Sequence, residues 1–166
     1  MTTQPGPPFA LPAMAGHAIA EEVRQFGQRG VETGGFLLAP RGQCTVTVMA
    51  FAGEAGIIRE RLLFQVSALA LDQLFGFADQ RSCWIPAQFH SHAAGAFLSR
   101  TDQQLGLRVK GFTSTVIPDF ANPPCRVTAW GWWRFSSEDW IPCQPPQIEG
   151  DDLEVVTFDE EGVHAQ

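Results

Sequence analysis

Basic residues are scarce in this 166-residue chain: one lysine, Lys110, and ten arginines stand against 18 acidic residues. Seven of the acidic residues (Glu149, Asp151, Asp152, Glu154, Asp159, Glu160 and Glu161) lie after Gln147, where there is no Lys or Arg; the remainder balances at 11 against 11. Without a basic excess nothing neutralises a phosphate backbone, so nucleic acid is not expected as a partner. Anionic membranes are disfavoured on the same ground. The first 23 residues hold no Lys or Arg to start a secretory signal, and the four cysteines (Cys44, Cys83, Cys125, Cys143) contain no CxxC pair. Reduced thiols in a cytoplasmic protein are the expectation. The longest uncharged run, 18 residues between Arg81 and Arg100, approaches a membrane span in length, yet it holds Pro86, Gln88, His90, His92 and serines. A buried strand leading into a polar loop fits it better. No internal repeat is present.

What the chain does contain is enough apolar sequence, 45% of residues, for one well-cored domain. Residues 1–14 are rich in Pro, Thr and Gln and lack an apolar period, which predicts a mobile N-terminal lead. Ile19, Val23 and Phe26 recur at helical spacing from about Ala15 to Gln28, and Gly30 is placed to end that helix. Gly34 to Pro40 and Cys44 to Gly53 read as an antiparallel pair around Pro40-Arg41-Gly42, with a third strand over Arg61 to Ser67. Ala68 to Gln80 suits a helix, and Cys83 to His90 a largely apolar strand. Next come a short helix over Thr101 to Val109, a strand over Gly111 to Pro118, and a hairpin from Cys125 to Phe135 and Glu138 to Cys143 through Ser136-Ser137. The order implies an α/β fold, a sheet covered by helices, over residues 15–144. Residues 145–166 form an acidic tail with one β-like run, Leu153 to Phe158, read as an added edge strand or a segment that orders with a partner.

The stretch QFHSHAAGAFLSRTD, Gln88 to Asp102, carries the chemistry. Alternate residues of a strand face one way, so His90 and His92 point together, as two ligands of one metal or as ordinary hydrogen-bonded imidazoles. Asp102, at the start of the next helix, completes a two-histidine, one-carboxylate set that leaves a zinc position open. The same Ser99-Arg-Thr-Asp102 run is also a variant of the helix capping box, and both roles are compatible. Glu32 precedes a strand that opens with Gly34 and Gly35, where the backbone must bend sharply or pass close to another group. By itself it reads as either a solvated turn residue or a general base.

Together, E-T-G-G-F-L-L, then H-S-H, then S-x-x-D resemble the JAMM (JAB/MPN) metalloprotease signature, especially its compact bacterial branch, over about Ile19 to Phe135. The resemblance implies a single JAB/MPN-like α/β domain with a curved, mostly antiparallel sheet flanked by helices. It also implies one Zn²⁺ per chain on His90, His92 and Asp102, with Glu32 as the base that takes a proton from the metal-bound water and passes it to the departing amine, and Ser99 as the donor to the oxyanion. The implied substrate is a ubiquitin-like protein or its conjugate, cleaved after the C-terminal glycine by a metalloprotease or isopeptidase acting in deconjugation or precursor processing. Conjugation enzymes are implied associates.

One departure from the family pattern is a loop of six residues, Ala93 to Leu98, where seven usually separate the second histidine from the serine; Ala93 also replaces a common proline. An extended substrate tail would add to a sheet edge, expected near Phe51 to Val66. Three alternatives accompany these expectations. The same site could release cysteine or another small amine from a sulfur-carrier protein. A metal-free MPN-like scaffold could bind partners through the acidic tail or through Trp130, Trp132, Trp133 and Trp140, whose other reading is core packing. The lysine scarcity reads as composition bias or as avoidance of lysine modification.

Overall fold

The computed structural model describes residues 4–166; Met1, Thr2 and Thr3, the start of the expected lead, lie outside them. In chain order the elements are β1 (Ala10–Leu11), α1 (Ala15–Gly27), β2 (Gly34–Pro40), β3 (Val48–Ala52), β4 (Ile57–Glu60), β5 (Leu63–Val66), α2 (Ala68–Gln80) and β6 (Cys83–Ser91). They continue with α3 (Arg100–Leu105), β7 (Thr113–Ile117), β8 (Gly131–Phe135), β9 (Trp140–Pro142), β10 (Gln147–Ile148), β11 (Glu154–Asp159) and β12 (Gly162–Ala165). Eight strands form the main sheet in the order β12-β11-β3-β2-β6-β7-β8-β9. Its pairings are antiparallel except β11 with β3 and β6 with β7. This is the expected mixed α/β domain with a mostly antiparallel sheet.

Strand alternation sends the core to both faces. Leu37, Met49, Ala87, Phe89 and Ile117 pack with Ile19 and Val23 of α1, while Phe36, Leu38, Val48, Ala50 and Phe158 pack with Ala70, Leu74 and Ala78 of α2. Ser67 caps α2 by accepting from the Ala70 N–H at 3.2 Å, which fixes the start of that helix at the expected residue. After α1, Gly30 takes φ +79°, a left-handed turn that lets the chain leave the helix toward Glu32.

Three expectations are corrected. The mobile lead is anchored: Phe9, Ala10 and Leu11 are buried, and β1 pairs in parallel with β10. Three core residues among prolines are too few to show an apolar period. The tail is built into the sheet: β11 lies between β3 and β12, and its Phe158 is fully buried, so β12 is the edge and β11 is an interior strand. The third strand, β5, stands where expected and pairs with β4 in a separate two-stranded ribbon. Finally, the run from Cys125 becomes a strand only at Gly131, after a short 3-10 turn over Val127–Ala129. The indoles of Trp130 and Trp132 donate to Pro124 O and Val127 O at 2.8 Å, folding that segment onto itself. Trp130, Trp132 and Trp140 are buried, the first two stacked at 6.1 Å, which is the core-packing reading.

Candidate metal centre

β6 runs through the middle of the main sheet, between β2 and β7, and delivers its last residues to the sheet's end. His92 stays in the ladder by donating its N–H to Ile117 O at 2.9 Å, so the alternation carries through Ser91 and both histidines face the α2 side. The neighbouring strand leaves room for them. Gly34 lies opposite His90, where a Cβ would collide with Phe89 O and the Phe64 ring; a Cβ on Gly35 would strike Ala50 O. The paired glycines are thus a close-approach requirement.

α3 supplies the third group. Ser99 is its N-cap: Ser99 Oγ accepts the Asp102 N–H and Asp102 Oδ2 accepts the Ser99 N–H, each at 3.0 Å. The six-residue loop keeps this capping box intact. The chain from His92 folds back through Asp119 N–H to Ala94 O and Phe120 N–H to His92 O, with the Phe97 ring edge-on to His92 at 4.7 Å. The same oxygen, Asp102 Oδ2, lies 3.1 Å from His90 Nε2 and 3.0 Å from His92 Nε2. The two Nε2 atoms are 3.2 Å apart.

These three atoms can hold a metal ion. Tetrahedral zinc with ligand bonds of about 2.0–2.1 Å sets its ligands about 3.3 Å apart, close to the sides of this triangle. Two imidazoles and a carboxylate are also a fitting donor set for that ion. Glu32 stands beside the triangle, 3% exposed, with Oε1 4.0 Å from His92 Nε2. Its backbone N–H is held by Glu60 O of β4 at 2.9 Å.

The site sets the charge states in opposite directions. Burial pushes the Glu32 carboxyl up to about 7, with His92 opposing and the Asp102 charge adding. Burial would also raise Asp102, but its hydrogen bonds to His90 and His92 outweigh that and hold it well below the usual carboxylate range. For His92, burial favours the neutral ring, and the Asp102 hydrogen bond and charge, with Glu32, more than reverse it.

All five residues singled out in the sequence, Glu32, His90, His92, Ser99 and Asp102, therefore meet at one place. Others were not legible. Phe64, Gln65 and Val66 of β5 join Gln88 in walling a cavity of about 100 Å³ that reaches His90 and Asp102. Trp140 donates its indole N–H to Gln103 O at 3.2 Å and so braces α3 from β9. Neither the docking of a ribbon nor a bond between residues 37 apart has a local sequence signal.

No family model and no curated protein matches the chain. Solved structures do. Protein DSY2949 from Desulfitobacterium hafniense superposes with a TM-score of 0.61 at 13% identity, covering 92% of this chain and 96% of that one. A protein from Salinibacter ruber gives 0.51 at 19% identity, over 84% and 91%. At such identities the likeness shows the fold alone. Among the described residues, no helix is long and apolar enough to cross a membrane.

Proposed function

We propose that the protein is a zinc metallopeptidase of the JAMM type, acting on the bond that follows the C-terminal glycine of a ubiquitin-like protein. The observation that carries this reading is the convergence of His90, His92 and Asp102 on a zinc-sized triangle with a buried carboxyl, Glu32, 4.0 Å from His92. Zinc held by these three ligands supplies a water acidified to a pKa of about 7 and a Lewis acid for the carbonyl. Glu32, which burial raises to about 7 before the charge of an ion acts on it, is placed to accept a proton and return it to the departing amine. Ser99 keeps its hydroxyl hydrogen free while its oxygen caps Asp102, so it has a donor for the carbonyl oxygen.

The substrate edge narrows to one end of the expected range, Phe51 to Val66. β3 is flanked by β2 and β11, so Phe51 offers no free edge. β5 is the better place: among the described residues it pairs only with β4, and Phe64 to Val66 line the cavity that reaches the histidines. An extended tail ending in small residues suits a cavity of about 100 Å³ beside such an edge. Four unpaired thiols accord with a reducing, cytoplasmic setting.

Metal analysis of purified protein, paired with cleavage of a ubiquitin-like protein fused to a short peptide, tests the proposal. We expect about one zinc per chain on the three ligands. Glu32→Gln is expected to keep its zinc and lose about 10²- to 10⁴-fold in kcat/KM, as removal of a general base does. Protein without zinc, its histidines intact, would overturn the reading. Zinc with release of only small amines would reassign the substrate to a sulfur-carrier protein.

A further inference from the structure

We infer that Ser91, the residue between the two histidines, is a positioning residue for Glu32: its hydroxyl clamps the Thr33 backbone and so sets where the Glu32 carboxyl stands against His92. The inference rests on the reading of Glu32 as the base. Strand alternation turns Ser91 to the α1 side, away from the ligands, and it is fully buried there. It therefore touches neither metal nor substrate.

Its contacts explain the course of the chain. In an antiparallel ladder, every second opposed pair exchanges two main-chain bonds. Thr33 and Ser91 stand one step beyond the Gly34–His90 pair, and they make only one such bond, Ser91 N–H to Thr33 O at 2.9 Å. The Thr33 N–H goes instead to Ser91 Oγ at 2.9 Å, and the same hydroxyl lies 3.3 Å from Thr33 O as its donor. A side chain thus completes the ladder where β2 peels away from β6. The next residue, Glu32, has already crossed to the ribbon, giving its N–H to Glu60 O.

Glu32 is therefore strung between two tethers, Ser91 through Thr33 on one side and β4 on the other. Arg59 tightens the second tether: its Nε donates to Thr33 Oγ1 at 3.1 Å while its guanidinium holds Gly53 O at 2.6 Å and covers the Phe26 ring. Remove the Ser91 hydroxyl and the fully buried Thr33 N–H has no partner, so the segment must shift to find one. His90 and His92 remain fixed by main-chain bonds that Ser91's side chain does not make. Loss of the hydroxyl should separate catalysis from metal binding.

The test compares Ser91→Ala and Ser91→Thr with the full-length parent. It reads zinc affinity by competition with a coloured chelator, kcat and KM separately, and amide hydrogen exchange at Thr33 in metal-free protein. For Ser91→Ala we expect zinc affinity within about threefold of the parent, kcat down at least about tenfold and KM little changed. Thr33 exchange should rise by about tenfold or more, and Ser91→Thr, which keeps the hydroxyl, should restore both. An unchanged kcat, or a kcat that falls in step with zinc affinity, overturns the inference, as does failure of the threonine variant to rescue. Should Ser91→Ala be too unstable to assay, Ser91→Cys, a weaker hydrogen-bonding group of similar size, reports the same separation. A parent that binds no zinc and cleaves nothing defeats the peptidase reading by itself, while Thr33 exchange still decides the clamp.

Discussion

On the proposed reading, Ser99 has two tasks that pull on different measurements. Its hydroxyl oxygen accepts the Asp102 N–H, and its own N–H holds the Asp102 oxygen that faces both histidines. The hydroxyl hydrogen is the part available to a reacting carbonyl. Replacing Ser99 with alanine removes the donor and the cap together but leaves the backbone N–H in place. Loss of an oxyanion donor costs about 10²- to 10³-fold in kcat. Loss of an N-cap costs about 1 kcal/mol, which, passed entirely to Asp102, is about a fivefold weaker zinc site. Ser99→Ala is thus expected to lose far more activity than metal, measured by kinetics at saturating zinc and by chelator competition. Equal losses in the two would reduce Ser99 to its cap.

At the scale of elements, α3 is the weak part of the site. It has six residues, none buried, and is too short to persist on helix propensity. The capping box holds one end and the Trp140 indole, bonded to Gln103 O, holds the other. Trp140→Phe keeps an aromatic ring to pack on Phe135 and deletes the N–H together with the rest of the indole. One hydrogen bond is worth about 1 kcal/mol, so zinc affinity should fall about fivefold with secondary structure unchanged; unaltered affinity would mean that α3 needs no brace. None of this was visible in the sequence, though the cap was. H-x-H and S-x-x-D are local patterns that strand alternation and helix capping translate directly into side-chain direction, and α1 and α2 followed equally from their periods. β5 was legible as a strand, but β4 and its pairing with β5 were not, because a four-residue strand has the same pattern in any sheet. The parallel pairing of β11 with β3, Glu154 opposite Val48, joins residues too far apart in sequence for any local signal.

For the whole molecule, the same pairing means that the tail cannot be treated as an appendage. Phe158 packs at the Phe36 ring, 5.7 Å between centroids, under α2, so Phe158→Ala should cost about 3–5 kcal/mol in chemical denaturation. Deletion after Pro146 should prevent cooperative folding, and a truncated chain that still melts cooperatively and binds zinc would contradict this. The site adds its own dependence on pH. In metal-free protein Asp102 is held below its ordinary value, so its share of stability is present above about 4 and is lost as pH falls through the depressed value. His92 is raised, so its share is complete below its ordinary value, 6.5, and is lost as pH rises. Glu32 has the sign of His92: it ionises near 4.5 when unfolded but near 7 in the fold, so folding loses ground between those values. Two of the three effects therefore weaken the metal-free protein as pH rises from about 5 to about 8, and its Tm should fall over that range. Zinc on the proposed ligands should reverse the trend, because it would require neutral imidazoles and an ionised Asp102 and so bind more tightly as protons leave. The zinc-induced gain in Tm, followed by thermal denaturation of chelator-treated and zinc-loaded protein, is expected to widen with pH across that interval. A gain that stays flat would mean that the ion binds away from His90, His92 and Asp102.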